Sequence, residues 1–177
     1  PASCPSPAPE MRTEEFASLY ALEEHHWWFT GMREIAAAML DPVAARAGWG
    51  RRPTSILDLG CGTGFIIDWL ARYAGGKPVT GLEYSADGVH FCRRRGHREL
   101  VQASAVELPF AGESFDLVTS FEVFDELPDD RSAFQEVARV LRPGGYFLIR
   151  LPALEWLRSS HDAAMHTYRR MSRDDLM

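Results

Sequence analysis

The chain has 177 residues, a formal charge of −6 and 46% hydrophobic residues, an ordinary globular composition with enough length for one domain around a real core. The acidic balance speaks against a general nucleic-acid binder, which needs a basic face, and no apolar run reaches the ~18 residues of a membrane span. Cys4, Cys61 and Cys92 are too few and too far apart for a disulfide framework or a zinc site, and they fit a reducing cytoplasm.

Pro1 to Pro9 alternate Pro, Ala and Ser, so residues 1–11 are expected as a disordered tail or tag. They lack the basic start and apolar centre of a signal peptide, and Met11 is a sensible natural start. Residues 12–50 read as a helical cap. From Thr13 onward Phe16, Leu19 and Tyr20 follow a helical spacing. His25-His26-Trp27-Trp28-Phe29 is too dense an aromatic cluster for a solvated surface. A second helix is predicted from Met32 to Arg46, with Ile35, Met39, Leu40 and Val43 on its buried side and a kink or split at Asp41-Pro42. The aromatic cluster has two readings: rings that pin the cap to the core, or a lid whose rings contact a cationic ligand. His25 and His26 are adjacent, point in different directions on a helix and make no metal pair.

The central stretch is Ser55 to Ile67. An apolar run ends in Asp58, then Gly60, Gly62 and Gly64 alternate, then an apolar helical pattern follows. This predicts a buried strand, a tight turn and a helix start whose free N–H groups favour an anion. A dinucleotide fingerprint wants a small residue where Phe65 stands, which weakens a nicotinamide or flavin reading. A glycine-rich turn without a ligand is the bland alternative. Cys61 reads as a small loop filler rather than a nucleophile.

A helix from Phe65 to Tyr73 should end at Gly75-Gly76, and Pro78 to Glu83 is a short second strand. Glu83 lies nineteen positions after Gly64, close to the spacing at which an acid grips a ribose diol; the competing role is capping the helix near Ser85. Ser85 to Arg95 is the next helix, with Arg93, Arg94 and Arg95 expected as a solvated end that complements the helix dipole. Glu99 to Ala103 and Ser114 to Phe121 are the third and fourth strands. A helix carrying Phe134, Val137, Ala138 and Leu141 is expected to stop at Pro143-Gly144-Gly145, before a fifth strand from Tyr146 to Leu151. In the polar tail, His161 and His166 are five apart, the wrong spacing for a shared helix face, so no metal site is expected. Arg169 and Arg170 are suited to forked hydrogen bonds with an acidic ligand, and a short surface helix is expected from Ser172.

The strings LDLGCGTG, EEHHWWFTGMRE, FDLVTSFEVFDELPD and ARVLRPGGYFLIRLP together resemble class I S-adenosylmethionine-dependent methyltransferases of the small-molecule type. The resemblance covers nearly all of Thr13 to Met177 and implies an α/β, Rossmann-like fold: a mostly parallel sheet with helices on both faces and an amino-terminal helical cap. It implies a cofactor-binding core at 51–152 and a substrate-side segment at 153–177. The cofactor would be S-adenosyl-L-methionine, released as S-adenosyl-L-homocysteine. Asp58, Gly60, Cys61, Gly62 and Gly64 would lie under its methionine part, Glu83 and Tyr84 at the ribose, Ser104 and Ala105 at the adenine edge, with Phe121, Glu122 and Trp28 completing the site. Ser104 stands where the family commonly has an acid.

After the fourth strand the family usually reads leucine, glutamate, histidine; here Phe124, Asp125 and Glu126 occupy those positions, so a familiar base is replaced by carboxylates. Catalytic candidates are therefore Glu122, Asp125, His161 and His166, and substrate-binding candidates are Trp27, Glu126, Tyr168, Arg169 and Arg170. The implied activity is in-line methyl transfer to a small-molecule acceptor in the cytoplasm, with no metal, nucleic acid or membrane involved. The alternatives are a non-catalytic S-adenosylmethionine or S-adenosylhomocysteine binder and a nicotinamide oxidoreductase. The family's last two strands are expected to be absent, which would leave the fifth strand as an apolar edge able to pair with a second copy.

Overall fold

The computed structural model describes residues 11–160, 162 and 167–176. At its centre is a five-stranded parallel sheet formed by β1 (Ile56–Leu59), β2 (Thr80–Glu83), β3 (Leu100–Gln102), β4 (Phe115–Phe121) and β5 (Leu141–Arg150), in the order β3-β2-β1-β4-β5. The chain winds outward through β2 and β3, then returns across β1 to β4 and β5. That reversal leaves a crevice beyond the carboxyl ends of β1 and β4, where open α/β sheets bind ligands.

Strand alternation divides the apolar residues between two cores. On one face Ile56 and Leu117 pack with Ala36, Leu40 and Ala44 of α2 (Trp27–Ala47) and with Ile67 and Leu70 of α3 (Phe65–Leu70). On the other, Leu57, Leu59 and Val118 meet Ala133, Val137 and Val140 of α5 (Asp130–Val140). The cap helix α1 (Thr13–Leu22) rests on α4 (Ala86–Arg94), with the Phe16 and Tyr20 rings 6.2 and 5.4 Å from Phe91.

Three local expectations change. Helix α2 starts at Trp27 rather than Met32 and runs through Pro42 without splitting. Its buried stripe is Ala36, Leu40 and Ala44, at i, i+4 spacing, whereas Ile35 and Met39 are 57% and 59% exposed. The two alanines in that stripe are short enough to bring the helix backbone close to the sheet. Helix α5 ends at Val140, because Leu141 is already extended (φ −73°, ψ 137°) and pairs with Phe115. Pro143-Gly144-Gly145 thus lies within β5, where a register shift and the positive φ of Gly144 absorb it. Among the described residues β5 pairs with β4 alone, and Tyr146 on this edge packs against the Trp49 ring at 5.6 Å. No helix among the described residues is long and apolar enough to cross a membrane.

Candidate active site

The carboxyl ends of the strands open into a cavity of about 440 Å³. Its floor is the turn after β1, where Gly60, Gly62 and Gly64 all have positive φ. The three glycines serve different ends. A Cβ on Gly60 would run into Val123, and one on Gly64 into His97 and Cys92. A Cβ on Gly62 would meet nothing within 4 Å, and Gly62 lines the cavity. Only there does the missing side chain leave room for a ligand. Gly64 does not line the cavity, so its assignment to the cofactor is replaced by a packing role.

Glu83, at the end of β2, reaches back to this turn: Oε2 accepts the Gly62 N–H at 2.8 Å and Oε1 the Ser85 N–H at 2.9 Å. The cap of α4 is Ser85 itself, whose hydroxyl oxygen accepts the Asp87 N–H. Glu83 is therefore a wall of the cavity and not a helix cap. Asp58 is 2% exposed and accepts the Thr119 hydroxyl at 2.7 Å; burial nevertheless pushes its carboxyl up to about 7. Tyr84, Ser104 and Ala105 continue the lining toward β3, with the Ser104 hydroxyl oxygen accepting the Val106 N–H at 3.4 Å.

The opposite wall follows β4 and carries Phe121, Glu122, Val123, Glu126 and Leu127. Glu122 has φ +59°, and its carboxylate lies 3.4 Å from Nε of Arg150, whose guanidinium covers the Phe121 ring at 4.9 Å. Burial pushes Glu126 up to about 8, with Asp125, Glu83 and Glu122 adding to it. Asp125 is 3% exposed and sits behind this wall. Its backbone carbonyl accepts the Tyr168 and Arg169 N–H groups, Oδ2 accepts the Thr167 hydroxyl at 3.3 Å, and Oδ1 is buried without a hydrogen-bond partner. Burial pushes its carboxyl up to about 6. Of the catalytic candidates, then, Glu122 faces the cavity and Asp125 does not; His161 and His166 lie outside the described residues.

The aromatic cluster resolves by helical phase. Successive residues turn by about 100° on a helix, so Phe29 faces the cavity, edge-on to Phe65 at 6.3 Å, while Trp27 and Trp28 are 72% and 40% exposed. Neither tryptophan lines the cavity. The tail arginines are already engaged, Arg170 within its own segment and Arg169 with the start of α5. Arg170 makes a forked pair to Asp162 at 2.7 and 3.1 Å and donates to the Ala153 carbonyl, and Arg169 pairs with Asp130. Tyr168 is exposed and lies off the cavity. Of the substrate candidates only Glu126 reaches it.

Several lining residues escaped the sequence reading. Met11, expected in the tail, lines the cavity with Phe16, Leu19 and Glu23 of the cap and Arg150 at the end of β5; the rest of the expected tail, residues 1–10, lies outside the described residues. Arg95, expected in solvent, has a side chain only 6% exposed. Cys61 lines the cavity beside Cys92, with sulfurs 3.6 Å apart; that contact and then burial push its thiol up, as suits a filler and not a nucleophile. Among the described residues no three His, Cys, Asp or Glu side chains gather as metal ligands.

Residues 57–149 match a family described as a methyltransferase domain. The fatty-acid O-methyltransferase of Mycolicibacterium smegmatis is 42% identical over 118 residues, 62% of this chain and 43% of that protein. The ubiquinone biosynthesis O-methyltransferase of Cronobacter sakazakii is 31% identical over 154 residues, 80% of this chain and 61% of that one. A solved S-adenosylmethionine-dependent methyltransferase from Mesorhizobium loti aligns with a TM-score of 0.51 and 27% identity, covering 61% of this chain and 51% of the other. This chain thus spans roughly half the length of these curated relatives, 43% and 61%. With a domain match across more than half of its residues and the matching sheet and glycine turn, the chain belongs to the class I S-adenosylmethionine-dependent methyltransferases.

Proposed function

We propose that this chain is the cofactor-binding core of a methyltransferase that transfers a methyl group in line from S-adenosylmethionine to a small, largely apolar acceptor. The observation that carries this reading is the convergence of the open space at Gly62, the Glu83 carboxylate and the Ser104-Ala105 segment on one cavity. A carboxylate offers about four lone-pair sites. Glu83 accepts the Gly62 and Ser85 N–H groups, and a ribose diol would bond to the same carboxylate. Asp58, Gly60, Cys61 and Gly62 would hold the methionine part, and Phe29 and Phe121 would cover it. Glu83 and Glu122 suit a cofactor carrying a cationic sulfur, and that charge would favour the ionised forms of Asp58 and Glu126 beside them.

When bound, S-adenosylmethionine supplies a methyl carbon that is already electrophilic. The chain has to orient the acceptor and exclude water, and the cap over the cavity serves both. Phe16, Leu19, Phe29 and Leu127 supply an apolar lining, which supports an alkyl or isoprenoid-like acceptor, as the names of the two curated relatives would suggest. Arg150 is one cation among these acids, an arrangement that favours a neutral hydroxyl over a free carboxylate as the methylated group. Glu122 or Glu126 would then take its proton. Among the described residues the outer edge of β5 is unpaired, which would support pairing with a second copy, and light scattering would show it.

The test is calorimetric titration with S-adenosylmethionine, then methyl transfer from labelled cofactor to apolar alcohols, fatty acids and amines. Transfer to an alcohol oxygen is expected; absence of cofactor binding would overturn the reading. A binder without turnover is the second reading, favoured by the Glu122–Arg150 pair and by Asp125 lying behind the wall. Tight S-adenosylhomocysteine binding with no transfer to any acceptor would select it.

A further inference from the structure

Arg95 follows the last residue of α4, where an arginine normally reaches solvent and complements the helix dipole. Its side chain instead threads between α4, the cap and the glycine turn. Nε donates to the Thr63 carbonyl at 3.1 Å, Nη2 to the Tyr20 carbonyl at 3.2 Å and Glu23 at 3.1 Å, and Nη1 to Glu24 at 2.7 Å. The guanidinium also lies 4.2 Å from the Tyr20 ring. Thr63, between Gly62 and Gly64, donates its hydroxyl to the same Glu23 carboxylate. Both polar ends of Thr63 are therefore held by groups that also hold the cap.

A buried ion pair is a weak source of stability, because desolvation of both charges offsets their attraction, whereas removing one partner alone is costly. What this pair does well is fix geometry. A planar guanidinium can serve carbonyl and carboxylate acceptors in three directions at once; an ammonium cannot hold the same fork. The elements it joins enclose the cavity: Phe16, Leu19 and Glu23 from the cap on one side, Gly62 on the other.

We infer that Arg95 is a positioning residue for the cofactor, clamping the cap helix onto the glycine turn so that S-adenosylmethionine is held and released only as this clamp opens. The inference rests on the cofactor reading above. No atom of Arg95 lines the cavity; it acts through Thr63 and Glu23.

The experiment compares the full chain with Arg95→Met and Arg95→Lys. It follows S-adenosylhomocysteine dissociation by stopped flow with a competitor chase, affinity by calorimetry, and amide exchange of residues 13–22 without ligand. Arg95→Met should raise Kd by about tenfold, almost wholly through faster dissociation, as is usual when a buried contact is lost. Cap amides should exchange about tenfold faster while those of β1 and β4 are unchanged, the signature of local opening. Arg95→Lys, keeping charge but not the fork, should fall between. Wild-type dissociation and exchange in a folded Arg95→Met would overturn the clamp, and if that variant does not fold, wild-type values in Arg95→Lys would do so. Should the unmodified chain bind no S-adenosylhomocysteine, the cofactor reading fails, and the exchange comparison still decides whether Arg95 holds the cap.

Discussion

Across the cavity, two walls treat their carboxylates differently. At the end of β2 both oxygens of Glu83 accept backbone N–H groups, and Asp58 accepts the Thr119 hydroxyl. After β4, Asp125 keeps one oxygen buried without a partner, and Glu126 is pushed up to about 8 among other acids. A carboxylate whose two oxygens each accept a backbone N–H, as in Glu83, is held in one place, which suits gripping a cofactor of constant shape. Carboxylates crowded in a low-dielectric wall change charge near neutral pH, which suits proton transfer.

The sharpest way to break the first wall is at Gly62. Gly62→Val places a branched side chain at φ +55° and fills open space beside the cavity. S-adenosylmethionine affinity should fall by about a hundredfold, the upper range for forcing added bulk into occupied space, read by calorimetry on a variant shown to be folded by circular dichroism. Unchanged affinity would remove this turn from the site. A milder cut is Glu83→Gln, which keeps shape and one acceptor oxygen but loses the charge. The Gly62 and Ser85 bonds then compete for that oxygen with the ribose, and binding should weaken by roughly 1–3 kcal/mol, the range for hydrogen bonds to charged groups. No loss would show that the Glu83 carboxylate serves only to tie the turn to β2.

The two walls were not equally legible in the chain. The glycine turn and Glu83 were readable because backbone geometry dictates them locally: a positive φ admits few residues, and an acid closing β2 must lie beside the turn closing β1. That the sheet is parallel follows from the alternation of strands and helices. Helical phase was harder. One residue of offset separates Phe29 in the cavity from Trp28 at 40% exposure, and sequence density alone does not set that offset. Arg93, Arg94 and Arg95 look alike as a run, yet only the 6% exposed side chain of Arg95 finds acceptors on the cap. The tail arginines misled for a related reason: Asp130 is far from Arg169 in the chain and Asp162 is eight residues from Arg170, so neither pairing follows from the i, i+3 or i, i+4 spacing of a helix.

Glu126 tests the second wall through pH. Its carboxyl is raised from 4.5 to about 8, so below pH 4.5 folded and unfolded chains both carry the proton. Between those values the unfolded chain ionises first, and stability falls as pH rises through the folded value. Glu126→Gln removes that loss. Its advantage over the unmodified chain should be absent at pH 4, grow through neutrality and level off above pH 8, reaching roughly 2 kcal/mol once partial solvent screening is allowed for. Denaturant melts across this range check it, and a constant difference would mean that the gain comes from packing rather than titration.

Asp125→Asn separates the two acids within that wall, and its effect should be the smallest. Asp125 is raised from 3.8 to about 6, so the same sign applies over a lower and narrower window, with the variant's advantage levelling off above pH 6. An asparagine oxygen can still accept the Thr167 hydroxyl, but its amide group would occupy the position of the unpartnered Oδ1 and be buried there without an acceptor. That cost offsets much of the gain, leaving about 1 kcal/mol in stability. Asp125 does not line the cavity, so the variant should keep cofactor affinity and transfer rate within about twofold, below the ~10²-fold contribution of a general base. A loss of a hundredfold in rate with affinity intact would place Asp125 at the reacting proton, and would require the 167–169 segment to swing aside when the acceptor binds.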